Sequence, residues 1–87
     1  MTVDPTIKTR LIFRDNNWAL MQRYESTSGC TFYFITNPYF RVKGEYLAVQ
    51  HGDKWSIVNI IVNRFLENPN VPESIKLAIN SIQMMVL

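Results

Sequence analysis

Hydrophobic and polar positions change their rhythm once along this chain, at His51-Gly52-Asp53, and the two sides of that tripeptide predict different structures. Upstream, apolar residues come in short dense runs separated by turn formers, which is the pattern of strands. Arg10 to Arg14 is one such run. It is closed by Asp15-Asn16-Asn17, residues that tolerate left-handed backbone, so that Trp18 to Tyr24 follows as the second arm of a hairpin. The polar stretch Glu25 to Gly29 predicts a loop. Cys30 to Thr36 is the clearest strand, dense in aromatic and β-branched side chains. Asn37-Pro38 turns the chain, because proline fixes φ and has no N–H to give to a ladder. Tyr39 to Lys43 is expected as a fourth strand with Gly44 as a bulge or turn. Tyr46 to Gln50 either continues it or adds a fifth.

Downstream the period becomes helical. Ser56, Asn59, Asn63 and Glu67 are spaced three, four and four apart, which places them on one stripe of a helix. Trp55, Val58, Ile61, Val62 and Phe65 then fall on the buried side, although β-branched content alone favours a strand. Asp53 suits the N-cap and Asn68-Pro69 the exit, since a residue before proline is pushed out of helical backbone. A second helix opens at Pro72-Glu73-Ser74. Its core stripe is Ile75, Ala78, Ile79, Ile82 and Met85 or Val86, while Leu77 and Met84 form a second, narrow apolar line on another face. The pattern therefore predicts an α+β fold. A small antiparallel sheet or barrel of four or five strands, over about residues 10–50, precedes two C-terminal helices, about 53–67 and 72–86. The 87 residues are expected to form one domain, with a β-rich part over 1–50 and a helical hairpin over 53–87.

Composition adds an adequate supply of core: 47% of the residues are hydrophobic, so no staple is required. Cys30 has no second cysteine to pair with, and His51 is the only histidine, which removes structural zinc from consideration. Charges at Asp4, Lys8, Arg10 and Arg14 interrupt the first residues, and the longest apolar runs are far too short for a bilayer. The expectation is a cytoplasmic protein with no membrane and no metal among its partners. The formal net charge of +2 is small. Its surplus lies in residues 1–54, with seven Lys/Arg against five Asp/Glu, and it forms no basic tail.

Candidate chemistry is sparse. His51, Lys54 and a following helix start would suit an anion, but an N-capping Asp53 would occupy the donors and repel it. Cys30 and His51 are the sole members of a thiol–imidazole pair, and Cys30 at the head of an aromatic strand reads as a buried, inert thiol. None of the seven carboxylates lies in an apolar run that would prepare it for acid–base work, and no phosphate-binding or metalloprotease motif occurs. No catalytic, cofactor-binding or metal residues are assigned, and the chain is not expected to be an enzyme.

Two surfaces remain. The strand at Cys30 to Thr36 is apolar on both sides, with Phe32 and Phe34 opposed to Tyr33 and Ile35, so either the fold or a partner must cover the second face. Together with Leu77 and Met84, Tyr33 and Ile35 are the candidate contact residues of a small non-enzymatic regulator or adaptor that binds another protein or a second copy of itself. The alternative is a nucleic-acid-binding module in which Arg10, Arg14, Arg23, Arg41 and Lys43 meet phosphates while aromatics such as Tyr39 meet bases. Strand-rich modules followed by a helical pair occur among transcriptional and other regulatory adaptors, a likeness of fold alone.

Overall fold

The computed structural model describes residues 7–39 and 45–85. Among them the chain forms five strands, β1 (Ile7–Asp15), β2 (Trp18–Glu25), β3 (Cys30–Thr36), β4 (Tyr46–His51) and β5 (Lys54–Ile57), then two helices, α1 (Asn59–Glu67) and α2 (Glu73–Met85). The strands make one antiparallel meander in the order β1-β2-β3-β4-β5, an open sheet with β1 and β5 at its edges. The expected α+β architecture holds, and the sheet is not closed into a barrel.

Local chemistry sets each connection. The β1–β2 turn is the pair Asn16-Asn17, with Asn16 in left-handed backbone at φ 54°. The β4–β5 turn is Gly52-Asp53 between the paired His51 and Lys54, with Gly52 at φ 63°. That hairpin corrects the expected helix start at Asp53. Lys54 to Ile57 is a strand whose side chains alternate between exposed and half-buried, and helix begins only at Asn59. Trp55 therefore belongs to the sheet, and Asp53 is an exposed turn residue rather than a cap. The α1 start has no side-chain cap: the carbonyl of Val58 accepts from the N–H groups of Ile61 and Val62, both at 3.0 Å. The exit is as expected, at Asn68 in extended backbone before Pro69. Pro72 stands just ahead of α2, and its carbonyl accepts from Ile75 and Lys76.

Both helices cover one face of the sheet, α1 lying against β4 and α2 against β1 and β2. Leu20, Ile35, Leu47, Val62, Ile75 and Ile79 are the largest fully buried side chains in the resulting core. The stripes read from the sequence keep their phase: Ile61, Val62 and Phe65 are buried on α1, as are Ile75, Ile79 and Ile82 on α2. Met85 departs from its expected core position and is 67% exposed. The strand expected over Tyr39 to Lys43 falls largely outside the described residues, of which Tyr39 sits in the turn after Asn37.

Candidate protein-binding surface

The ladder register decides which face each strand residue occupies. Leu20 stands opposite Ile35, and Arg10, Gln22, Tyr33 and Ala48 stand opposite one another across four strands on the face that carries the helices. Tyr33 and Ile35 are therefore core residues, 6% and 2% exposed, and their assignment as partner contacts is corrected. The Tyr33 hydroxyl is also fully engaged: it accepts from Gln22 Nε2 at 3.1 Å and donates to Gln50 Oε1 at 2.9 Å.

The opposite face carries Met21, Arg23, Phe32, Phe34 and Tyr46, all half-buried without any helix upon them. They cover one another. Phe32 and Tyr46 pack with centroids 4.6 Å apart, and Phe34 meets Tyr46 edge-on at 6.2 Å. The Arg23 guanidinium lies over both Phe32 and Tyr46, at 5.5 and 5.3 Å from their centroids, donates to the Tyr46 hydroxyl and pairs with Glu25 at 2.9 Å. The two-sided apolarity of β3 thus has an internal explanation, with helices over one side and a cation-roofed aromatic cluster on the other.

That arrangement also bears on the nucleic-acid alternative. Arg23 is committed to Glu25 and the rings, so neither it nor those ring faces stand free for phosphate or base. Arg10 lies on the helix-bearing face while Arg14, opposite Ala19, lies on the other. Tyr39 is exposed in its turn, and Arg41 and Lys43 lie outside the described residues. The described members of this set do not converge on one surface.

Leu77 and Met84 are 64% and 71% exposed, as the helical phase predicts. The structure adds what stands beside Leu77. The β1–β2 ladder shifts register between Leu11 and Phe13, so Ile12 has no residue opposite it and is 45% exposed. Ile12, Phe13, Leu77, Ala78 and Met85 then line a shallow, mostly apolar groove of about 540 Å³ between β1 and α2. An adjoining recess on the other side of Ile82 and Met85 is more polar and is lined by Arg10, Gln22, Gln50 and Trp55. A hydrogen bond from Ser74 Oγ to Asp15 ties the start of α2 to the end of β1 and holds the groove walls together. Sequence reasoning found the Leu77 line and missed its β1 half, because an isolated Arg-Leu-Ile-Phe-Arg run does not reveal that it will stand at a sheet edge.

Other candidate chemistry is dispersed. Cys30 and His51 face one another across the β3–β4 ladder, but the thiol donates to the Ser28 carbonyl at 3.8 Å, and Cys30 is half-buried rather than buried. The anion site imagined ahead of a helix at Asp53 loses its helix. Among the described residues no group of three or more His, Cys, Asp or Glu is placed to hold a metal ion. No helix there is long and apolar enough to cross a membrane. Set against models of protein families, curated proteins and solved structures, the chain matches none.

Proposed function

We propose that this protein is a small non-enzymatic regulatory or adaptor domain that works in the cytoplasm by binding another protein through the β1–α2 surface. One observation carries the reading. Ile12 and Phe13 on an edge strand adjoin Leu77 and Met85 on α2, and these large apolar side chains remain exposed although the core has closed without them. Singly exposed apolar residues are ordinary, whereas a contiguous set lining a groove is a feature of contact surfaces. Cations on the same strand, Lys8, Arg10 and Arg14, favour a partner with acidic residues around its apolar contacts.

The test compares the wild-type chain with Leu77→Glu/Met84→Glu as bait in its native cell extract. Both are first shown to be folded by thermal unfolding. The reading requires that an acidic protein held by the wild type is released by the double substitution. Equal retention by both baits contradicts it.

A further inference from the structure

Three features meet on β1. It has β2 on one side and, among the described residues, no strand on the other, so its outward N–H and C=O groups present a free ladder. Lys8, Arg10 and Arg14 are exposed and make no ion pair among the described residues, whereas Arg23 and Arg64 are paired with Glu25 and Glu45. The apolar groove floored by Ile12, Phe13, Leu77 and Met85 runs alongside.

A free edge is a template for any strand, and proteins commonly guard it with cations and bulges. β1 has both, and their positions state what is being excluded. The register shift at Ile12 leaves Ile7–Leu11 as the uninterrupted run. A second copy of that run laid antiparallel against it places Lys8 opposite Arg10 twice, on either side of a central Thr9 pair, and like charges directly opposite are destabilising. The same cations attract a strand that carries carboxylates. An added strand sends alternate side chains to the two faces. Those on the helix-bearing face fall toward Ile12, Leu77 and Met85, with Arg10 in the adjoining recess.

Resting on the protein-binding reading above, we infer that the partner presents an extended acidic segment which adds to β1 as a sixth strand. Its ladder forms along Ile7–Leu11. Its apolar side chains rest on Ile12, Leu77 and Met85, and its carboxylates meet Lys8 and Arg10 on the helix side and Arg14 on the other.

The probe is a blocked peptide of repeating Glu-Glu-Val-Val, which as a strand carries both glutamate and valine on each face, matched to the nine residues of β1. Two controls accompany it: the lysine–valine counterpart, and the glutamate–valine peptide N-methylated at alternate residues so that it keeps charge and side chains but loses one row of ladder donors. Titration by fluorescence anisotropy, with amide hydrogen exchange on β1, is expected to show the acidic peptide binding and protecting outward β1 amides. The lysine peptide should not bind, and N-methylation should weaken binding on the order of tenfold or more, the effect of losing two or three hydrogen bonds. Absence of acidic-peptide binding, equal binding of the lysine peptide, indifference to N-methylation, or unprotected β1 amides overturns the inference. So does concentration-dependent dimerisation through β1 in light scattering, which would make a second copy the occupant. If these fail while Leu77→Glu/Met84→Glu still releases a partner, the protein-binding reading survives and the strand-addition inference alone falls.

Discussion

Tyr33 on β3 and Trp55 on β5 stack over the intervening strand, their ring centroids 5.2 Å apart and their planes 23° from parallel. β4 contributes the fully buried Ala48 opposite Tyr33, a side chain small enough to leave room for the rings. This pairing gives the sequence from Lys54 to Ile57 a reason to be strand. In a helix the indole would have lost the tyrosine ring, and the edge of β4 would have stood bare.

The consequence is an alternation of mutational costs along β5. Trp55→Ala should destabilise the protein by about 2–3 kcal/mol, from lost area and the lost ring contact, somewhat below a fully buried tryptophan because Trp55 is half-buried. Ser56→Ala, exposed on the same strand, should stay within about 0.5 kcal/mol. Urea unfolding measures both. Similar costs at the two positions would contradict the strand.

Gly52 tests the hairpin turn by a separate route. An added Cβ would meet nothing within 4 Å, so any cost of substitution comes from the backbone at φ 63° rather than from collision. Gly52→Val should cost about 1–3 kcal/mol, and Gly52→Asn clearly less, since asparagine tolerates left-handed backbone. The comparison of the two variants by thermal unfolding isolates the conformational term.

On α1 the exposed stripe and the buried one should separate cleanly. Asn59→Ala and Asn63→Ala are expected to change stability by less than about 0.5 kcal/mol. Ile61→Ala should cost about 2–5 kcal/mol through lost burial and a cavity. Equal costs at all three positions would place the helix in the wrong phase.

Those results would also mark where the fold is legible in the sequence. β2, β3 and α2 can be read to within a residue or so because each is long enough for its period to repeat: the aromatic alternation of Cys30 to Thr36, and the isoleucines at 75, 79 and 82. β5 has only four residues, and Ser56 satisfies both an alternating and a helical spacing, so the stripe through Asn59 and Asn63 extends back across it without contradiction. A signal for the hairpin was nonetheless present, because Gly-Asp between two short runs is a two-residue turn that matches strand twist. The candidate surface was half legible. Helical phase alone puts Leu77 and Met84 outside the core, whereas Ile12 and Phe13 join Leu77 only because β1 becomes an edge and α2 packs against it, a relationship between residues more than sixty positions apart. Strand alternation puts Tyr33 and Ile35 on one face without saying which face the helices will choose, and that choice moves them from a contact surface into the core.

Cys30 begins β3 half-buried, with its thiol near the Ser28 carbonyl. A thiol reagent should label it more slowly in the native protein than after unfolding in urea, and the native reaction should still reach completion because the site is partly open. Native labelling as fast as the unfolded reaction would show that the β2–β3 loop does not shield the sulfur.

The most direct test of the account is a paired measurement on Leu77→Glu/Met84→Glu. Both side chains lie outside the core, so the thermal midpoint of the double variant should fall close to that of the wild type while capture of the acidic protein partner drops on the order of tenfold or more, the effect of burying carboxylates against an apolar contact. A variant that unfolds would show that this face of α2 belongs to the core. A variant that folds and captures the partner as the wild type does would show that the β1–α2 groove is not where this protein meets it.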